Sequence, residues 1–409
     1  MVTTKTNKES TTKKGTPPEE EARGLHLPSL IIKGFRGFKE MHLEELGQVT
    51  LLAGRNGAGK STVLEAARLY ASVGDPSVIT DILDNRGNVL IRVDEDGSLF
   101  DVPDHGSLFF RYKEPTKESA IEIGLSGTKN ILKIELSSFE SKELKDIPSS
   151  LLSILEEEGP RCLTVFSGPD RKMIGKFPFF QGGKKGYAEL NDTFSGFPRG
   201  FRRRLFGRLL RFGTEGVRKA QRIPYESLGP GLPSNEKIAS WFESVELTSE
   251  RERVLEALRL INPSIELLAS QGSIRLDGPR MMVKTEDLDF PVPLKSMGEG
   301  IVHLLGLVVA LVNAKDGLML IDEIENGIHY SLFSQLWEFV MQIAQENNVQ
   351  VIAATHSLDC FKEFTRVADE NKNIEGRVIR IEREGEETWA VPYSEKQALI
   401  AAESGIEVR

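Results

Sequence analysis

The sequence predicts an α/β fold, a mixed sheet flanked by helices, with an antiparallel β subdomain and an inserted subdomain. Three observations lead there. The apolar run Val49-Thr50-Leu51-Leu52-Ala53 is followed by a glycine-rich turn and then by the amphipathic stretch 62–70. A second run, Leu318-Met319-Leu320-Ile321, ends in two acids, Asp322 and Glu323. A third, residues 349–354, leads straight into Thr355-His356-Ser357. Short unbroken apolar runs bounded by turns are what strands buried on both faces look like.

The turn after the first run is Gly54-Arg55-Asn56-Gly57-Ala58-Gly59-Lys60-Ser61-Thr62, of the form G-x-x-x-x-G-K-S. Strand, glycine-rich loop and helix in that order are the setting a phosphate-binding loop requires. The glycines let successive N–H groups converge on a β-phosphate, and the helix dipole adds to their field. Lys60 is placed to reach the β- and γ-phosphates, and the Ser61 hydroxyl to ligate Mg²⁺. A nucleoside triphosphate is the expected ligand, taken as ATP with Mg²⁺.

A chain of 409 residues with 39% hydrophobic content accommodates one large domain plus an insertion, or two domains. No apolar run approaches the roughly 20 residues that span a bilayer, so a soluble protein is expected. Residues 1–24 have almost nothing to bury and no signal core, and read as a disordered tail. Cys162 and Cys360 lie far apart without metal spacing, which fits a reducing cytoplasm. Net charge is -9, unevenly spread. Between Arg199 and Arg222 nine Lys/Arg face a single acid, Glu215, which suggests a local docking surface.

Taken in order, residues 30–38 read as a strand and turn, Gly34-Phe35-Arg36-Gly37-Phe38, ahead of the glycine-rich loop. From 81 to 135, five short segments (89–93, 99–100, 108–112, 120–125 and 131–135) alternate with turn residues and read as strands. The stretch 137–235 is irregular and is read as the inserted subdomain. Inside it, on a helix, Leu205, Leu209 and Phe212 would share one face and Arg204, Arg208 and Arg211 another. With Arg199, Arg202 and Arg203 these cations, interleaved with aromatics, suit phosphates and exposed bases. Nucleic acid leads this reading; an acidic protein partner and a solvated structural face are its alternatives. Residues 238–242 and 250–261 read as helices, the second stopped by Asn262-Pro263. Strands follow at 265–268 and 273–276, and an apolar helix at 301–312.

Beyond the single motifs, their order carries a resemblance. G-F-R-G-F before the glycine-rich loop, S-M-G-E-G at 296–300, L-I-D-E-I-E-N-G-I-H-Y-S at 320–331 and T-H-S at 355–357 resemble the ABC-type head ATPases. These include the chromosome-maintenance and recombination-repair ATPases and the bacterial ATPases related to the OLD, Septu and PARIS defence proteins. The resemblance covers about residues 28–409 and implies a dimer, or a higher even oligomer, sandwiching two nucleotides. Arg36 would lie near the nucleotide, or else be a surface residue. Gln181 matches the Q-loop glutamine by position only. Ser296 and Gly298, in a degenerate form of the L-S-G-G-Q signature, would complete another subunit's site. Asp322 would hold the Mg²⁺ shell and Glu323 the attacking water. Asn326 falls in the D-loop, and His356 would contact the γ-phosphate.

The chain departs from OLD-type nucleases in having only about 50 residues after His356, too few for a TOPRIM domain. Asp287-Leu288-Asp289 precedes the signature and lacks such a domain around it. No heptad run is long enough for a coiled-coil arm. The expected division is 25–136 as N-lobe, 137–235 as insertion and 236–409 as C-lobe. The expected function is ATP hydrolysis in DNA repair or anti-phage defence, with DNA or a separate nuclease as candidate partner. The alternative is a nucleotide-gated scaffold that holds and releases an effector protein without touching nucleic acid.

Overall fold

The structure, a computed structural model, describes residues 24–93, 99–112, 115–116, 118–143, 161–179, 214–272, 279–371, 373–393, 396–398 and 400. Its centre is a six-stranded sheet in the order Tyr225–Leu228, Leu318–Ile321, Gln350–Ala354, Val49–Ala53, Gly376–Glu384, Glu387–Tyr393. The first five strands run parallel, and the last returns antiparallel on the edge. The three strands read from their apolar runs lie side by side and are buried along their whole length.

Alternation along those strands feeds two separate cores. Leu51, Ala53, Met319, Ile321, Val351 and Ala353 face helices Asn235–Val245, Glu250–Arg259, Glu299–Asn313, Phe333–Glu346 and Leu358–Glu370. Leu52, Leu318, Leu320, Ile352 and Ala354 face helix Lys60–Ala71 and an antiparallel sheet on the other side. Helix Glu299–Asn313 is apolar all round, with 301–312 buried throughout, as a helix enclosed by its neighbours must be.

The antiparallel sheet has the order Phe38–Leu43, Leu30–Phe35, Ala120–Gly124, Ile131–Ser138, Arg161–Ser167, Lys172–Pro178. This corrects the division expected at residue 137. Two strands of the supposed insertion extend the N-terminal sheet, and Tyr225–Leu228 forms an edge of the central one. The reason is pairing: Leu163 and Val165 complete a core with Ile134 and Phe177 that sequence distance conceals. Residues 108–112 are also not a strand. They form two 3₁₀ turns, with Arg111 and Tyr112 both in the left-handed region at φ 62° and 55°. Helix Pro76–Asn85, opened by the Asp75 cap on the Ser77 amide, occupies part of the stretch read as β-rich. Residues 273–276, Gln181 and the basic run from Arg199 to Arg211 lie outside the described residues. Among those described, no helix is long and apolar enough to cross a membrane.

Candidate nucleotide site

Parallel register sets the site. Ile321 pairs with Ala353, and Ala354 with Leu52, so the chain leaves three adjacent strands at one level, at their carboxyl ends. The glycine-rich loop, the acidic pair and the Thr-His-Ser turn therefore emerge together, where ligands bind in open parallel sheets.

The loop needs its glycines for space as well as for rotation. Gly54 has φ 135°, and a Cβ there would lie 2.3 Å from the Ile381 carbonyl oxygen. Gly59, at φ 116°, has the Phe38 ring 2.5 Å from where its Cβ would be. Arg55, Asn56 and Gly57 stand exposed on the crest, and the Ala58 amide bonds back to the Arg55 carbonyl at 3.1 Å. The helix begins at Lys60 with no side-chain cap among the described residues, leaving its first amides open toward the loop.

Lys60 is buried, and its ammonium donates to the carbonyls of Gly54 at 2.6 Å and Arg55 at 3.3 Å. Burial pushes it below the usual lysine range, and attraction to Asp322, Glu325 and Glu323 opposes that shift. It also lies 3.2 Å from Nδ1 of His356. An Nδ1 that accepts from that ammonium would leave the ring proton on Nε2. That nitrogen lies 3.7 Å from Oε1 of Glu323. Glu323 itself has φ 53°, a left-handed conformation of the strained kind that clusters at functional sites.

Asp322 closes the strand with its amide bonded to the Leu228 carbonyl. Its Oδ1 is buried and has no hydrogen-bond partner among the described residues. An orphaned carboxylate oxygen is costly unless a cation completes it, so the residues present fit Mg²⁺. Asp322 and the Ser61 hydroxyl would supply the protein ligands. Among the described residues no cluster of three or more His, Cys, Asp or Glu could hold a metal. A sparse protein set suits Mg²⁺, which usually keeps waters and takes substrate phosphates.

A cleft of about 220 Å³ runs over Gly57, Ala58, Gly59, Lys60, Ser61 and Thr62 to His356. It adjoins a second of about 540 Å³, which Arg55, Asn56 and Trp389 help to line. Gly37, Phe38, Arg86, Tyr112, Arg383 and Thr388 complete the first wall. Sequence reading passed over Arg86, Tyr112, Arg383 and Thr388, which carry no motif and converge only through the fold. Arg36 does not line the cleft. Its guanidinium, 2% exposed, is ion-paired with Glu65 at 2.8 Å and donates to Asn88 Oδ1 and the Ile82 carbonyl. Arg36 thus ties the strand turn to two helices, one of them Lys60–Ala71.

Ser296 and Gly298 are exposed at the head of helix Glu299–Asn313, and neither lines this cleft. Gly298 has φ 104°, and the helix start has no side-chain cap among the described residues. Asn326 follows the acidic pair in a tight turn and donates from its amide side chain to the Pro230 carbonyl.

Two regions of the chain match AAA-domain families. Residues 29–181 match one described as AAA domain, and residues 235–359 one described as AAA domain, putative AbiEii toxin, Type IV TA system. The chain is similar to an ATP/GTP phosphatase of Helicobacter pylori, 25% identical over 358 residues, covering 84% of this chain and 88% of that protein. It is also similar to the DNA replication and repair protein RecF of Clostridioides difficile, 27% identical over 154 residues, 38% of this chain and 34% of that one. Among solved structures, an SMC head bound to the C-winged helix domain of ScpA aligns with 91% of this chain and 99% of its own. That alignment has a TM-score of 0.47 and 14% identity.

Proposed function

We propose that this chain is an ATP-binding and ATP-hydrolysing enzyme of the ABC-head type, acting as a nucleotide-sandwich dimer. The observation that carries the proposal is the meeting of Lys60, His356, Glu323 and Asp322 at the carboxyl ends of three adjacent parallel strands. The similarity to an ATP/GTP phosphatase along most of both chains supports the same chemistry.

In this reading the open amides of the glycine-rich loop and the Lys60 ammonium bind the triphosphate and offset its charge. Mg²⁺, when bound, neutralises phosphate charge, held on the protein side by Asp322 and Ser61. Glu323 orients the attacking water and accepts its proton. His356, between Lys60 and Glu323, donates from Nε2 toward the γ-phosphate. The nucleoside would extend along Tyr112, Arg383 and Thr388, beyond the loop crest.

Dimerisation is proposed because Ser296 and Gly298 stand exposed and away from their own cleft. An uncapped helix start there is suited to meet a phosphate held by a second copy. A role in DNA repair draws on the partial similarity to RecF, and one in phage defence on the motif resemblance to the OLD, Septu and PARIS relatives. In either role the basic run including Arg202, Arg203 and Arg204 would be the nucleic-acid contact.

Mixing two inactive variants tests this reading. Lys60→Ala lacks the phosphate lysine, and Ser296→Arg blocks the signature surface. Each alone is expected to be inactive, while the mixture regains turnover, because one site of each mixed dimer is intact. A mixture as inactive as its components would refute hydrolysis completed in trans. Loss of DNA binding in the Arg202, Arg203 and Arg204 to Glu triple variant, with wild-type binding falling steeply as salt rises, checks the nucleic-acid role.

A further inference from the structure

Glu325 lies outside the usual sets of phosphate, metal and water ligands, yet its placement is specific. One carboxylate oxygen, Oε1, accepts the backbone amide of His356 at 2.6 Å and that of Ser357 at 3.0 Å. These amides stand between the end of strand Gln350–Ala354 and the start of helix Leu358–Glu370. A carboxylate gripping two consecutive N–H groups makes short, charge-assisted bonds and fixes the backbone between them. His356 is the residue so fixed, and its ring bridges Lys60 and Glu323.

The segment bearing Glu325 is anchored in turn. Ile324 is fully buried, and its amide bonds to the Ala354 carbonyl at 3.2 Å. Two residues after Glu325, Gly327 packs against Gly300 of the signature helix. Below lies His303 of that helix, 1% exposed, with Nε2 lacking a hydrogen-bond partner among the described residues. The second Glu325 oxygen, Oε2, is likewise buried without one among those residues. Glu325 is thus held from the side of the signature helix and reaches across to the histidine turn.

We infer that Glu325 is a positioning residue: its carboxylate clamps the His356–Ser357 amides, holding His356 in register with Lys60 and Glu323 and linking that turn to the signature helix. The inference rests on the hydrolytic reading above for its kinetic consequence, though the clamp is a structural statement that can be tested without activity.

The test compares Glu325→Ala, which removes the acceptor, with Glu325→Gln, which keeps an oxygen of the same reach. Hydrogen exchange across 355–361 and steady-state ATP kinetics are measured on the full chain. Misplacing a reacting group by about 1 Å costs on the order of 10²-fold in rate. Glu325→Ala is therefore expected to exchange faster across 355–361 and to lose up to about 10²-fold in kcat, with KM little changed. Glu325→Gln is expected to restore both properties most of the way. Unchanged exchange in Glu325→Ala would overturn the clamp, whether or not the protein hydrolyses ATP. Faster exchange with wild-type kcat would overturn the positioning role, as would Glu325→Gln being as impaired as Glu325→Ala. If the wild type does not hydrolyse ATP, the hydrolytic reading fails, while the exchange result still decides the clamp.

Discussion

Gly300 and Gly327 stand backbone to backbone: a Cβ on Gly300 would lie 2.1 Å from the Gly327 carbonyl oxygen. Gly327 has φ 70°, and a Cβ there would meet Gly300 Cα at 3.2 Å. The head of helix Glu299–Asn313 and the loop after the acidic pair are thus in contact without side chains between them. Gly300→Ala is expected to force them apart. The obstructing atom is backbone and cannot swing away, so the strain outweighs the gain in helix propensity, for a net loss of about 1–2 kcal/mol. A lower urea midpoint at unchanged m-value would show it; an unchanged midpoint would contradict the contact.

Glu65 carries two cations, Arg36 at 2.8 Å and Arg86 at 2.7 Å. Replacing it with Ala leaves the enclosed Arg36 charge with only Asn88 and the Ile82 carbonyl. A loss of about 3 kcal/mol is expected, at the lower end of what breaking a buried pair costs because those two acceptors remain. ATP affinity in Arg36→Met is expected to stay within about threefold, a difference below about 0.7 kcal/mol. Calorimetric titration decides this: a large loss of affinity would place Arg36 at the nucleotide after all.

His105 is fully enclosed beside the Phe177 and Phe179 rings, and burial pushes its imidazole down to about 3 from 6.5. The folded state keeps it neutral, whereas the unfolded chain takes up a proton below 6.5. Its contribution to stability is therefore full above pH 6.5 and is lost as pH falls toward 3, by about 2 kcal/mol at pH 5. His105→Leu is expected to narrow the stability difference between pH 7 and pH 5 by about that amount. Denaturant titrations at the two pH values measure it, whatever the variant's absolute stability.

Asp322→Asn keeps the shape of the strand end but removes the charge that Mg²⁺ would meet. Mg²⁺ is expected to strengthen ATP binding to the wild type and to lose at least about tenfold of that effect in the variant. Binding without Mg²⁺ would persist through Lys60 and the loop amides. Titrations with and without Mg²⁺ check both statements.

What could be read from the sequence was local. Gly54 to Thr62, Asp322-Glu323 and Thr355-His356-Ser357 each sit at the end of a short apolar run, so element and chemistry are written within a dozen residues. The parallel sheet follows, because three largely apolar strands must be covered on both faces. What could not be read depends on distant pairing. Arg161–Ser167 joins the N-terminal sheet through partners about 30 residues earlier. Tyr112 reaches the cleft only because residues 108–112 turn instead of extending. Arg36 and Glu325 carry charges whose roles are set by what the fold places opposite them, Glu65 in one case and two backbone amides in the other.

The proposed chemistry is ATP hydrolysis over the glycine-rich loop, with Glu323 handling the water. Turnover by the purified wild type and by Glu323→Gln, with oligomer size followed during the reaction, tests it most directly. Wild-type turnover is expected, together with a Glu323→Gln variant slowed by about 10²-fold or more and accumulating as an ATP-bound dimer. A Glu323→Gln variant that hydrolyses ATP as fast as the wild type would contradict it.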